Sequence, residues 1–257
     1  MLSNADIRKA IVDKKIIITP YNEDCQNENR LTPAGFNLSF SLFIVSVNKG
    51  RLCDIFVDGG SNDTFPQSLK ITIESGDTVL ALTHESVWVS SEFAGTLHSK
   101  VSYVSKGLGH ISTTLDPGWA GQLLISISNP NSKGLDIEIG IIDEKGEITY
   151  NTFLTLCLYR LQNKADVKLS DNYEARFDVI GKVVPACLEQ EEVKKIQEIL
   201  PKEARRFNLN SEYEDEEEFS SRVKEYKKAH SEFLASMERI LKPTIKRVVP
   251  MGKGEGH

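Results

Sequence analysis

His98–Asn129, HSKVSYVSKGLGHISTTLDPGWAGQLLISISN, is the stretch on which the reading of the whole chain turns. Two strand-like runs, Val101–Val104 and Gln122–Ser128, flank a polar, glycine-punctuated middle that ends in Asp116-Pro117-Gly118-Trp119-Ala120-Gly121. Proline presets φ and glycine accepts φ > 0, so Asp-Pro-Gly is strong turn chemistry. The turn would hold Asp116 at the tip of a hairpin-like unit, where a rigid sheet presents loop residues.

Working outward, Phe36–Val47 alternates as a strand does, and Leu52–Val57, Leu69–Glu74, Val79–Leu82 and Val87–Val89 continue the pattern. Gly134–Ile142 and Ile148–Leu161 complete it. Many short strands broken by Gly and Asn predict a mainly β body, an antiparallel β-barrel or jelly roll. Ahead of it, residues 3–14 read as a short helix, with Ser3 as N-cap and Asp6 completing a capping-box variant. Lys15–Thr19 is a β-branched run, and residues 21–31 form a polar loop. Gly59-Gly60 reads as a surface turn, since no Lys-Ser/Thr follows to make a phosphate cradle.

Composition changes near residue 164. Lys164–Asp178 is polar and Val179–Val184 is a short apolar piece. Leu188–Leu200 is helical, with Glu189, Glu191 and Glu192 where the helix dipole favours them. Arg205–Tyr213 reads as a linker. A long helix over about 214–242 follows, with Phe219, Val223, Tyr226, His230, Phe233, Met237 and Ile240 in a 4-3 spacing. Three heptads are marginal for a free coiled coil, so the helix is expected to pack on its own domain, with His230 as a packed or register-setting residue. The tail after Pro250 is expected to be disordered. Two domains follow, a β domain over 1–163 and a helical extension over 164–257.

A formal net charge of −6 argues against a general nucleic-acid binder. Cys25, Cys53, Cys157 and Cys187 are far apart, with no Cys/His pair at metal-ligand spacing, so no metal site is expected from them and reduced thiols of a cytoplasmic protein are. No membrane-spanning run is present, and the N-terminus lacks the pattern of a signal peptide.

With these residues in view, the chain resembles the dCTP deaminase/dUTPase superfamily of nucleotide hydrolases, over roughly residues 1–165. His98-Ser99-Lys100 stands where the deaminase branch has Arg-Ser-Ser, Leu115-Asp116-Pro117-Gly118-Trp119 where it has Ile-Asp-Pro-Gly-Trp, and Gly121 and Asn129 fall in place. Val79–Val87 looks like the strand before the phosphate motif. Pro33-Ala34-Gly35-Phe36-Asn37-Leu38 looks like the first motif, with Asn37 for its aspartate. The opening LSNADIRKAIVDKKIIITP looks like the deaminase N-terminus. Three departures stand out: Ser126 holds the position of the catalytic glutamate, and His98 and Tyr103 hold those of two arginines. A serine hydroxyl does not ionise near neutral pH, so it cannot shuttle protons at a cytosine ring.

The resemblance implies a deoxypyrimidine-triphosphate site, with possible hydrolysis of dUTP or a related dNTP to the monophosphate and diphosphate. It favours a dNTP diphosphatase over a dCTP deaminase. Asp116 is the candidate catalytic residue, able to accept a proton from water or to orient the sugar; its structural alternative is an Asx-turn aspartate capping its own turn. Ser99 and Lys100 supply a hydroxyl and a cation for phosphates. His98, Thr113, Thr114, Trp119 and Gly121 complete the candidate substrate-binding set. Mg2+ would come with the triphosphate, and the family's assembly implies a homotrimer with sites between subunits. Glu85 and Glu138, off the catalytic position, read as solvated strand residues. The competing class is a catalytically inactive deaminase-like scaffold or nucleotide sensor whose helical domain binds a protein partner.

Overall fold

The computed structural model describes residues 1–21, 30–58, 65–110, 113–166, 172–200 and 216–248. Gly59-Gly60, the linker 205–213 and the tail after Pro250 lie outside the described residues. The chain opens with helix α1 (Asn4–Val12), whose start is the expected capping box: Asp6 N donates to Ser3 Oγ at 3.2 Å and Ser3 N donates to Asp6 Oδ2 at 3.0 Å. The strands are β1 (Ile16–Thr19), β2 (Leu31–Thr32), β3 (Gly35–Ser46), β4 (Arg51–Leu52), β5 (Ile55–Asp58), β6 (Gln67–Ile73), β7 (Thr78–Val89) and β8 (Phe93–Ser99). After helix α2 (Val101–Val104) come β9 (Gly109–His110), β10 (Thr114–Leu115), β11 (Ala120–Ser128), β12 (Leu135–Ile142), β13 (Ile148–Tyr150) and β14 (Thr152–Arg160). Helices α3 (Asn172–Val183), α4 (Glu191–Glu198) and α5 (Glu216–Leu241) follow, and β15 (Lys246–Val248) closes the described chain.

These strands form the expected mainly β body, a curled antiparallel sheet with C-terminal helices. The larger sheet runs β10-β8-β14-β3-β7-β11-β9, with β1 added to β7 and β2 and β4 to β3. The smaller runs β13-β12-β6-β5-β15, its last pair parallel. Central β3 is buried along its whole length, its polar Asn37, Ser39, Ser41 and Ser46 included. β6 instead alternates buried and half-buried residues, the signature of one solvated face.

Val79–Leu82 and Val87–Val89 belong to one strand, β7, as the resemblance over Val79–Val87 implies. The polar segment Thr83–Ser86 stays in it as a bulge. On one side Gln122 and Leu124 of β11 face Ser86 and Leu82. On the other, the register slips between Phe40 and Ile44 of β3. The unpaired backbone is satisfied locally: Gln122 Nε2 donates to Thr83 O at 2.6 Å, Leu123 N donates to Thr83 Oγ1 at 2.8 Å, and that hydroxyl donates to Glu85 O at 2.7 Å. Such a bulge re-aims the side chains within it.

Three local expectations change. Val101–Val104 is one turn of helix rather than a strand. Lys100 N donates to Phe153 O as the chain turns, Tyr103 N and Val104 N donate back to Lys100 O, and Val101 and Val104 stay exposed. The polar and apolar pieces between 164 and 184 contain α3, whose Phe177 and Ile180 are buried and whose Phe177 ring meets Phe43 at 5.3 Å. Leu188–Leu200 is split: a 3-10 turn over Pro185–Glu189 precedes α4. Gln190 between them is extended, and its side chain accepts a bond from Leu52 N at 2.8 Å.

The apolar side of α5 faces the barrel. Val223 and Tyr226 pack with Ile17 and Trp88, and Phe233, Leu234, Met237 and Leu241 join the main core. The buried seam drifts from Ile240 to Leu241, as a straight helix of 3.6 residues per turn drifts from a 3.5 repeat. Two bonds fix the helix to the bulge: His230 Nε2–H donates to His84 O at 3.0 Å, and the Tyr226 and Ser86 hydroxyls bond each other. No described helix is long and apolar enough to cross a membrane.

Burial holds His84 and His230 neutral, each lowered from 6.5 to about 3. Above pH 6.5 neither state is penalised. Below it the unfolded chain takes up protons that the folded chain refuses, so stability falls with pH towards about 3. Glu85, raised by burial, protonates first in the folded state and acts in the opposite sense. Between pH 6 and 4, chemical denaturation should lose up to ~1.4 kcal/mol per pH unit for each histidine. The variant His230→Asn should show a shallower slope; an unchanged slope would assign the acid sensitivity to other groups.

Candidate functional site

The sequence candidates lie along β8 and the turn beyond β10. β8 sits between β14 and β10, with Thr155 opposite His98, Leu154 opposite Ser99, and Thr114 and Leu115 opposite Thr96 and Gly95. A Cβ at Gly95 would meet Leu156 Cδ1 at 2.8 Å and Cys157 O at 3.1 Å, so the packing around it would have to shift. His98 is exposed, and its Nε2 shares a hydrogen bond with Thr96 Oγ1 at 2.8 Å. The Ser99 hydroxyl is buried and has no partner among the described residues. Lys100 precedes α2, and its Nζ donates to Thr152 Oγ1 at 2.6 Å. Thr113 accepts Leu97 N at its carbonyl, and both Thr113 and Thr114 are exposed.

The turn is anchored at both ends. Trp119 N donates to Asp116 O, Gly118 N donates to Val89 O, and Val89 N donates to Trp119 O at 3.1 Å. Gly118 has φ +73 and Gly121 has φ +137, values that favour glycine. Asp116 is exposed, and its carboxylate accepts a bond from Thr114 Oγ1 at 3.3 Å rather than from its own turn's backbone. Trp119 Nε1 donates to Gly121 O at 3.1 Å.

One side chain here has no signal in the sequence. Arg176 of α3 lays its guanidinium 4.0 Å over the Trp119 ring. Burial lowers its pKa to about 10, while the Asp116 charge pulls the other way. The helical extension thus brings a cation to the Asp-Pro-Gly-Trp turn, and nothing in a lone arginine of a helix announces that.

The two groups of candidates do not meet within one chain. The turn lies beside Ala94 and Gly95, whereas Ser99 ends the strand. At about 3.3 Å per residue, Ala94 to Ser99 spans roughly 16 Å. Ser126 lies on β11 opposite Leu80, half-buried, and Tyr103 is half-buried with its ring 4.5 Å from Phe153. Asn37 is buried and accepts Thr155 Oγ1 at 2.8 Å.

Glu85 is not a solvated strand residue, and Glu138 is half-buried and hydrogen-bonded. Glu85 is 2% exposed, paired with Arg30 at 2.5 Å and bonded by Ser39 N at 2.7 Å. Arg30 reaches it from the position just before β2, a partner that strand periodicity does not reveal. Glu138 accepts Ser68 Oγ at 2.7 Å and Asn151 Nδ2 at 2.8 Å. Among the described residues no group of three or more His, Cys, Asp or Glu could hold a metal ion.

Comparison with known proteins adds independent findings. A family model described as dCTP deaminase-like matches residues 1–142. A dUMP-forming dCTP deaminase from Methanopyrus kandleri is 30% identical over 149 residues, 55% of this chain and 77% of that protein. The dCTP deaminase of Thermococcus kodakarensis is 24% identical over 163 residues, 63% of this chain and 88% of that one. Among solved structures, the dCTP deaminase of Agrobacterium tumefaciens aligns with TM-score 0.43 and 12% identity, covering 62% of this chain and 48% of that one. A dUTPase from phage phi11 of S. aureus aligns with TM-score 0.34 and 20% identity, over 62% of this chain and 98% of that one. Helices α3 to α5 lie beyond the stretch that the family model matches.

Arg176→Ala should change Trp119 emission and lower stability by on the order of 1 kcal/mol, the value of a partly desolvated cation–π contact. Emission identical to the parent's would show that the ring and guanidinium do not interact in solution.

Proposed function

The chain belongs to the dCTP deaminase-like family of the dCTP deaminase/dUTPase superfamily, and from that membership we propose that it binds a deoxypyrimidine triphosphate and hydrolyses it between the α- and β-phosphates. The observation that carries this reading is the exposed Asp116 carboxylate, held on an anchored turn and not engaged in capping it. In the reaction, water attacks the α-phosphorus as Asp116 accepts its proton. The bond from that phosphorus to the bridging oxygen breaks, and the nucleoside monophosphate and diphosphate leave. Lys100 and the unpartnered Ser99 hydroxyl contact phosphate oxygens.

The separation along β8 supports a site shared between copies, the turn of one chain facing the Ser99–Lys100 end of the next. A homotrimer is the proposed assembly. The described residues do not fit a protein-held metal, so Mg2+ enters only as an ion carried by the triphosphate, and no step is routed through it.

The second reading, a nucleotide-binding scaffold without catalysis, draws on Ser126, His98 and Tyr103. It needs a partner surface other than the apolar side of α5, which the barrel covers.

Incubation with each deoxynucleoside triphosphate, followed by chromatography, separates the readings. The expected result is release of a monophosphate without ammonia from dCTP. Asp116→Asn should retain binding while hydrolysis falls about 10²–10⁴-fold. Lys100→Ala should weaken binding roughly tenfold or more, as for one charge-assisted contact. Binding without hydrolysis in the unmutated protein would establish the scaffold, and no binding at millimolar nucleotide would end both readings.

A further inference from the structure

The bulge in β7 shapes a second feature, away from β8. Where β1, β3, β7 and β13 meet α5, a cavity of about 540 Å³ opens, lined among others by Tyr21, Arg30, His84, Glu85, Tyr150 and Lys227. Its size falls in the range of small-molecule sites, roughly 300–1,000 Å³. No residue of the β8 end or the Asp116 turn takes part in it.

The walls are aromatic and fixed. The Tyr150 ring stacks on His84 at 4.2 Å, and its hydroxyl donates to Glu238 Oε1 at 2.7 Å. Tyr21 meets Phe36 edge-on at 5.1 Å. Flat rings held in this way offer a surface to another planar ring at little cost in conformational entropy.

The charges are unequal. Glu85 is fully engaged, by Arg30 on one oxygen and by Ser39 N on the other, so that pair is neutral in sum. His84 is uncharged at neutral pH because burial disfavours its cation. Lys227, four residues before Ser231 on the same face of α5, has no carboxylate partner among the described residues. The described lining residues of the cavity therefore carry one net positive charge. His84 Nδ1 is also buried without a hydrogen-bond partner, and a buried polar atom of that kind calls for an explanation. A triphosphate would bring several charges against one, whereas a monoanion balances the site.

We propose that this cavity binds a small planar monoanion, an aromatic or heteroaromatic ring bearing one acidic group. The ring rests against Tyr21 and Tyr150, and the acidic group meets Lys227. Helix α5 then has a role beyond covering the barrel: it brings the cation that makes the cavity a site. This inference does not depend on the nucleotide reading, since none of its residues belongs to that site.

The test uses benzoate as probe on the full chain, with benzamide as the neutral isostere and benzylamine as the cation. Amide NMR shifts should move in β7, β13 and around Lys227, with benzoate binding at least fivefold tighter than benzamide and benzylamine not binding. Lys227→Gln should remove the preference for benzoate. Ser231→Trp, which places a bulky ring at the exposed rim, should abolish binding while melting temperature and nucleotide titration stay as in the parent. Absence of shifts at the cavity up to saturating benzoate would overturn the proposal, as would equal affinity for benzoate and benzamide or an unaltered preference in Lys227→Gln.

Discussion

The buried ion pair between Arg30 and Glu85 is the interaction on which the rest of this structure depends. A carboxylate 2% exposed would be too costly to keep charged inside a barrel without a partner. With Arg30 and Ser39 N in place, the polar run Thr83–Ser86 can stay in the middle of the long strand β7 instead of ending it. The resulting bulge sets the register of β3 and β11 on its two sides. It also presents the His84 carbonyl and the Ser86 hydroxyl to α5, and turns the His84 ring towards Tyr150. Removing one partner would leave an unpaired buried charge, a change that typically costs about 3–5 kcal/mol.

The β body was legible because burial on one face writes itself into alternation. β6, with buried residues at every second position, is a direct case. The capping box of α1 was legible because it is local, Ser3 and Asp6 satisfying each other within one turn. What escaped was long-range or context-bound. Val101–Val104 has β-branched residues, yet its backbone closes on Lys100 O and forms an exposed helical turn. Glu85 looks like any strand carboxylate until Arg30, distant in sequence, is brought to it. α3 was hidden because it runs across the boundary read between polar Lys164–Asp178 and apolar Val179–Val184, and its packing shows only once Phe177 meets Phe43.

The candidate site was legible in part for the same reason. The Asp-Pro-Gly-Trp turn is local chemistry, and it forms as its residues dictate, with Gly118 at positive φ and Asp116 exposed. The distance between that turn and Ser99–Lys100 is not local chemistry. It follows from how β10 pairs with β8, and spacing along the chain gives no hint of it. Arg176 adds a cation to the turn from the helical extension, beyond the reach of any motif. The family model matches residues 1–142, and Arg176 at the turn and Lys227 at the second cavity lie beyond that match.

If the nucleotide site is shared between copies, its two halves can be damaged in different chains and rescued by mixing. The most direct measurement is the hydrolysis of deoxyuridine triphosphate by oligomers assembled from equal amounts of Lys100→Glu and Asp116→Asn chains. In a closed ring with head-to-tail interfaces, random mixing would unite two undamaged halves at about a quarter of the sites. The account predicts activity well above that of either variant alone. Mixed oligomers no more active than the sum of the two separate variants would contradict it.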